Sequence, residues 1–538
     1  MFCLLRKTCR GSLNHTINLF TPILKKHSSP AVALQMPFPD NNQQKRKPPI
    51  VIKCKNESLN HTAGQTYEKF KPLPLASKGW HHDKSIGDYF VIYPNYTQPE
   101  PALDNTDSAS FENFDLDKQL IENLRTNHIG NPSEIQNKAI PALLSRKNCI
   151  IAAETGCGKT LAYLLPLLQQ IFHWKKLATR NMNEPLGLII VPSRDLAQQI
   201  AMVAKKFSAG MNIKTHVLIG GHTKKKMLNP VVDDIDLLIG SLGIISKFMT
   251  TSIQKTSSIR HVVIDEADTL FDDSFSEKVL HILKKITFNS PEMKTSSELP
   301  GTAQLTLVSA TMPKDLPVTL EAVIDTDSLV RLTTEKLHQI LPQVRQKFLR
   351  VANASRSIEM LKIVKNNSEK KYQTLIFCNT KKSCEWVYLF LSDMSVNCSY
   401  THGTLPAKVR LDRFAEFQRG HTFVLVTTDA CSRGLDTATV KHVVNFDFPL
   451  YTADYIHRCG RTGRLGGEAN CQITNFICSD RDIETVRKIE TSIRMGKPLP
   501  QVDANITKIV KENIERNIAI VKGLMNESSS PRHSETED

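Results

Sequence analysis

The stretch His261-Val-Val-Ile-Asp-Glu-Ala-Asp268 carries an apolar run into carboxylates. Roughly a hundred residues upstream, Ala153-Glu-Thr-Gly-Cys-Gly-Lys-Thr160 closes a glycine-containing turn with Lys-Thr. Each follows a β-like run, at His261–Ile264 and Asn148–Ala153, and in this order the pair describes a nucleoside triphosphate site. Backbone N–H groups of such a turn, with the helix N-terminus after it, cradle phosphates. Lys159 then reaches the outer phosphates and the Thr160 hydroxyl reaches Mg²⁺. Asp265, at a strand end, supplies the carboxylate a hard cation needs, through water. Glu266 is placed to orient and deprotonate the attacking water. Either motif alone also fits a chance turn or an acidic helix start; the ordered pair does not.

A chain of 538 residues is too long for one core and fits two or three domains. No apolar run approaches a membrane span, so no membrane insertion is expected. The net charge of +15 points to a polyanionic partner, although a basic leader, tail and solvated surface give the same sum. The twelve cysteines are scattered, without Cys-x-x-Cys or zinc-like pairs, which reads as reduced thiols inside a cell or organelle. Residues 1–39 place Arg6, Lys7, Arg10, Lys25 and Lys26 among apolar side chains, with no acid before Asp40. Such a leader is expected of a mitochondrial presequence and a matrix protein. A plain basic arm, with a nuclear or cytoplasmic location, is the alternative.

Residues 40–110 are polar and basic, rich in Pro, Asn, Lys and Ser, and read as a disordered extension. From Phe111 short β-branched runs alternate with helical patterns: Leu186–Val191, Thr215–Ile219, Ile235–Ile239, His261–Ile264 and Leu305–Val308. After a bridge near Leu332–Pro342 the rhythm restarts at Thr374–Phe377, Val396–Tyr400, Thr422–Val426, Val440–Phe446 and Gln472–Phe476. This is the pattern of two tandem α/β units, 111–332 and 343–500, each a parallel sheet flanked by helices, with a cleft between them. Ser290–Thr302 reads as a loop insertion, and 501–538 as a basic helix followed by a disordered tail.

Further motifs follow in order: Pro192-Ser-Arg-Asp-Leu-Ala197, Gly220-Gly221, Gly240-Ser-Leu-Gly243 and Ser309-Ala-Thr311 in the first unit. The second unit carries Ile376-Phe-Cys-Asn-Thr380, His402-Gly403, Thr428-Asp-Ala-Cys-Ser-Arg-Gly-Leu-Asp436 and His457-Arg-Cys-Gly-Arg-Thr-Gly-Arg464. With Asp265-Glu-Ala-Asp268 they run through Phe111–Arg464, and the chain resembles the DEAD-box RNA helicases of superfamily 2. The resemblance implies two RecA-like domains and an RNA-stimulated ATPase that locally unwinds or remodels RNA or ribonucleoprotein, using ATP and Mg²⁺ and acting as a monomer. It implies that Gln136 reads adenine, with donor and acceptor on one amide. It places Phe111 and the loop residues Ala153, Glu154, Thr155, Gly156, Cys157, Gly158, Lys159 and Thr160 at the nucleotide, and Asp436 on the ribose. Arg461 and Arg464 would be arginine fingers that meet the γ-phosphate when the cleft closes. Ser309, Thr311 and His457 would couple the ATP site to RNA. Arg194, Gly221, Ser241, His402, Gly403, Thr428 and Arg433 would hold the sugar-phosphate chain, so sequence specificity should be low.

Taken with the leader, the chain is similar to the mitochondrial members of the family, which implies rRNA and ribosomal assembly particles as partners, in assembly of the large mitochondrial ribosomal subunit. An ATP-gated RNA clamp or assembly factor with little unwinding activity is the alternative. Several positions depart from the family pattern: His128 replaces a glycine, Ile129 an aromatic that stacks on adenine, Ile244 an arginine and Ala407 a glutamine. Weaker ATP and RNA binding is expected from these. Cys157 stands inside the phosphate turn, where Lys159 and the helix N-terminus are expected to lower its pKa.

Overall fold

The structure, a computed structural model, describes residues 49–94 except 69, most of 110–500, and residues 502, 514, 515 and 518. Within 110–500 the description omits 179–180, 221–233, 252–254, 272–274, 290–298, 312–317, 336, 340–342, 433–436, 465–466 and 469. The segment expected to be a loop insertion and the expected C-terminal helix and tail therefore lie largely outside the described residues, and the leader lies wholly outside them.

The chain opens with β1 (Ile50–Cys54), β2 (His61–Thr62) and β3 (Tyr89–Ile92). The first domain follows, built on β4 (Cys149–Ala152), β5 (Gly187–Val191), β6 (Thr215–Leu218), β7 (Leu237–Ser241), β8 (His261–Asp265), β9 (Gln304–Ser309) and β10 (Val330–Thr333). These seven strands are all parallel, in the order β10-β4-β9-β8-β5-β7-β6. Helices cover both faces, so the strands read as continuous apolar runs rather than alternating ones. Successive side chains still part to opposite sides. Ile189, Val191, Ile239 and Val263 join one core layer, and Leu188, Ile190, Leu238 and Val262 the other.

The second domain carries β11 (Arg345–Arg350), β12 (Gln373–Cys378), β13 (Cys398–Thr401), β14 (Val424–Thr428), β15 (Val440–Asn445) and β16 (Gln472–Ile477). They are parallel in the order β13-β14-β12-β15-β16-β11. The sheet then continues antiparallel into β3, β1 and β2, giving nine strands.

This corrects the expectation of disorder over 40–110. Residues 49–94 are an integral edge of the second domain, although the whole first domain separates them from it in sequence. Phe90 stacks on Phe348 at 4.7 Å between ring centroids, and Trp80 packs on Phe90 at 5.6 Å. The helix Asp480–Met495 is bolted to the extension by a fully buried ion pair, Arg494 Nη2 to Glu490 Oε1 at 2.8 Å. Glu490 accepts from the Ala76 and Ser77 amides and from the Ser77 hydroxyl. Arg494 donates to the Tyr67 hydroxyl and the Leu59 carbonyl. Arg350 likewise donates to the carbonyls of Trp80, Ile477 and Cys478. Every buried charge here has its partners, as burial requires.

Candidate active site

The phosphate turn follows β4 and opens the helix Lys159–Leu177. Gly156 and Gly158 lie at φ +85° and +93°, a region that favours glycine. A side chain at Gly158 would also collide with the Gln136 amide. Gln136 is buried: its Nε2 donates to the Gly158 carbonyl at 3.1 Å and its Oε1 accepts from the Ser133 amide at 2.9 Å. The Ser133 hydroxyl donates to the Cys157 carbonyl at 2.8 Å, so the glutamine segment and the turn are one rigid piece. Lys159 donates to the carbonyls of Ala153 and Glu154 at 2.6 and 2.8 Å, which holds its ammonium over the turn beside Thr155 and Thr160.

Two expectations fail here. Phe111 is enclosed in the core at 2% exposure, edge-on to Phe114, so it buttresses the region rather than offering a ring face to a base. Cys157 is buried, and burial pushes its thiol up against the opposing pull of Lys159. Desolvation outweighs the nearby cation, and the thiolate is disfavoured.

At the end of β8, Asp265 accepts from the Tyr163 hydroxyl at 2.9 Å and from the Glu266 amide at 2.8 Å. Burial, and then the neighbouring Glu266 charge, push its pKa up to about 6. Glu266 sits in the left-handed region at φ 53°, and its buried Oε2 has no hydrogen-bond partner among the described residues. An orphaned carboxylate oxygen beside a disfavoured carboxylate is a site short of positive charge and of a proton donor. Mg²⁺ with its water fits that deficit.

The second domain closes directly onto the turn. A methyl group on Gly460 would overlap the Thr155 side chain, and one on Gly156 would meet Arg464 Cγ at 2.9 Å. Arg461 is buried, with its Nε donating to the His457 carbonyl, and Arg464 Nε donates to the Gly460 carbonyl. The expected coupling residues meet at Asp268. Its Oδ2 accepts from the Thr311 hydroxyl at 2.9 Å and lies 3.5 Å from His457 Nε2. Thr311 is itself held by the Ser309 hydroxyl. Burial alone would raise the Asp268 pKa, but His457, Ser309 and Thr311 hold it below the usual carboxylate range. Asp268 was legible as the last residue of its motif, yet its role as hub shows only in three dimensions. Arg458 was missed too: it pairs with Asp429 through two bonds and donates to Asn379 and the Asp447 carbonyl, joining three motifs.

On the face expected to carry RNA, the Arg194 guanidinium lies over Gly220, where a Cβ would meet Nη2 at 2.6 Å. Asp195, the next residue, reaches Arg410 of the second domain at 3.6 Å. Ser241 and Thr428 end β7 and β14 and are nearly buried, whereas Gly403 faces open space. His402 is turned inward at 2% exposure with Nδ1 3.0 Å from Thr404 Oγ1, so its ring is not presented to a ligand as expected. Gly221, Arg433 and Asp436 lie outside the described residues. The departures have visible causes: Ile244 fills the core, Ile129 packs half-buried against it, and His128 adopts φ 57°, where glycine is at ease.

Two RecA-like domains meeting across a phosphate turn define a nucleotide-driven two-domain motor. Comparison with known proteins narrows the class. The DEAD/DEAH box helicase model matches residues 133–317 and the helicase conserved C-terminal domain model residues 355–466. The probable ATP-dependent RNA helicase DDX28 of Mus musculus is 35% identical over 86% of this chain and 87% of its own length. Its Homo sapiens counterpart is 33% identical over the same shares. Among solved structures, Mss116p bound to single-stranded RNA and AMP-PNP matches with a TM-score of 0.62 at 24% identity, over 72% of this chain and 78% of that one. S. cerevisiae Dbp5 bound to RNA and ADP BeF3 matches at 0.59 and 22%, over 76% and 99%. The chain belongs to the DEAD-box family of ATP-dependent RNA helicases, and is an ATP-hydrolysing, RNA-binding enzyme.

Proposed function

We propose that this helicase works by cross-cleft assembly of its ATPase site, with Glu266 as the general base and Arg461 and Arg464 as the transition-state cations. The observation that carries the reading is the Asp268 hub, where the first domain's Thr311 and the second domain's His457 share one carboxylate oxygen. Lys159, Thr155 and the turn amides would bind the phosphates, and Gln136 the adenine. Thr160 and Asp265 would hold Mg²⁺, which lends charge to the γ-phosphate when bound. Glu266, lacking any partner for Oε2, would take the proton of the attacking water. Closure brings the arginines to the turn, so ATP favours the closed form and RNA seated beside Arg194, Ser241 and Thr428 shares in that preference. Bending of the bound strand would expel its partner, a local unwinding that needs no base recognition.

The basic, acid-free leader supports action in mitochondria, and the polyanionic partner implied by the net charge is rRNA in assembling large ribosomal subunits. Two measurements test these readings. Glu266→Gln should bind ATP and RNA normally while losing ATP turnover by about a hundredfold or more; near-normal turnover sinks the assignment. A reporter fused to residues 1–39 should enter mitochondria, and stay outside once Arg6, Lys7 and Arg10 become Glu; unchanged delivery rejects the presequence.

A further inference from the structure

The strands added to the second domain have two unlike faces. One is buried under Trp80 and the last helix, through Ile52, Cys54, Phe90 and Ile92. The other is basic and aromatic. Lys53 of β1 pairs in register with Val91 of β3, and Val91 with Lys347 of β11, so the two lysines share one face with Tyr89, Tyr93 and Arg345. Arg345 lies over the Tyr93 ring at 5.4 Å and Lys347 over the Tyr89 ring at 5.2 Å. Both tyrosines are half-buried, Tyr89 against the core, and Lys53 and Arg345 are exposed.

Among the described residues neither Arg345 nor Lys347 is in an ion pair. The nearby acids are already matched: Asp88 with Lys55 at 3.0 Å and Glu359 with Lys362 at 2.7 Å. Beside the two cations a cavity of about 210 Å³ is lined by Asn366, Asn367, His442 and Thr474. His442 is fully buried and held neutral, its pKa pushed down to about 3, with its nitrogens engaged by Asn367 and Thr474. With Ile363 and Ile473 beside these polar groups the floor is mixed and uncharged, and the cations set the sign of the cavity. At below the roughly 300–1,000 Å³ of pockets that enclose a whole small molecule, it suits a phosphate with part of its sugar.

We propose that this face is a second contact for single-stranded RNA, independent of nucleotide and separate from the cleft. Cations at phosphate spacing beside stackable tyrosines are the chemistry by which single strands are held without reading sequence. The location is distinct from the ATP-gated groove. The cleft motifs follow the C-terminal ends of β13 and β14, whereas Arg345 and Gln472 begin their strands at the opposite end and His442 lies in the first half of β15. The strand order also sets β11 and β3 on the other side of β12, β15 and β16 from β14. A strand held there would remain tethered when hydrolysis opens the cleft.

The test uses the full chain without nucleotide, irradiated with single-stranded RNA containing 4-thiouridine, with mapping of the crosslinked peptides and titration of affinity against salt. Crosslinks are expected within 89–93 and 345–347. Arg345→Glu with Lys347→Glu should abolish them, weaken nucleotide-free binding about tenfold and flatten the log–log salt slope by about 1.4, the loss of two phosphate contacts on a single strand. Tyr89→Leu with Tyr93→Leu should remove the crosslinks at an unchanged slope. RNA-stimulated ATP turnover and the unfolding midpoint should hold in both variants. Should the charge reversal lower that midpoint, the wild-type crosslink map still decides. Crosslinks confined to the cleft, leader or tail overturn the proposal. So does a charge-reversed variant that binds RNA like the wild type, including one that has instead lost an acidic protein partner.

Discussion

The clasp of the second domain and the carboxylates beside the phosphate turn of the first treat buried charge in opposite ways. In the second domain Arg494 is enclosed by Glu490, Tyr67 and Leu59, Arg458 by Asp429 and Asn379, and Arg350 by three carbonyls. In the first, Asp265 is pushed up toward neutrality and Glu266 keeps an unpartnered oxygen on a left-handed backbone. Satisfied charges hold a shape; unsatisfied ones await a ligand. Charged residues therefore mark architecture where they are satisfied and chemistry where they are not.

Removing residues 1–94 should break the comparison most severely. It withdraws Ile52, Trp80, Phe90 and Ile92 from the second core. At about 1.5–3 kcal/mol each, their loss rivals a whole domain's stability of about 5–15 kcal/mol. Calorimetry should show the second domain's transition gone and the first domain's kept; two intact transitions would mean the extension is dispensable.

Glu490→Ala strikes the same clasp at one point. It strands Arg494 and the Ser77 donors in the interior, and should cost about 3–5 kcal/mol in chemical denaturation. A cost below about 1 kcal/mol would show that water reaches the pair and that burial is not the issue.

Asp265→Asn tests the other half, where the sign reverses. The folded pKa of about 6 lies above the ordinary 3.8, so the unfolded chain gives up this proton first. Nucleotide-free stability should then fall as pH rises from about 4 to 6, by at most about 3 kcal/mol from this group. The Asn variant should lack that slope and be the more stable protein above pH 6, while failing in ATP turnover. Parallel stability curves for the two proteins would refute the strain. The smallest effect is His128→Gly, which should relieve the left-handed backbone and add up to about 1 kcal/mol, read as a raised unfolding midpoint.

The first domain was legible because its strands are buried on both faces and read as unbroken apolar runs, as in Leu188-Ile-Ile-Val191. Strand β11 was not, since Arg-Gln-Lys-Phe-Leu-Arg looks like surface. Its charges make sense only once Arg350 is seen in a cage of carbonyls and Lys347 on an open face. β1 to β3 were hidden by their shortness and by the polar, lysine-containing chain between them. Their order comes from Trp80 packing on Phe90 and Phe90 on Phe348, a contact no local window contains. The nucleotide turn and the Asp265-Glu-Ala-Asp268 motif could be read because their geometry is local. The Asp268 hub, the Arg458 junction and the inward turn of His402 could not, and Cys157 inverted its expectation because burial does not show in a motif.

The crossing of the extension over the first domain also sets a clock. Val91 pairs with Lys347, about 250 residues later, so at roughly 5–20 residues per second of synthesis β3 waits on the order of 10–50 s for its partner strand. The first domain has time to fold in that interval, tethered between an unpaired hairpin and an unfinished chain. The second must then close a loop that already contains a folded body. Its completion waits for β11, and until then Trp80 and Phe90 lack the core that buries them.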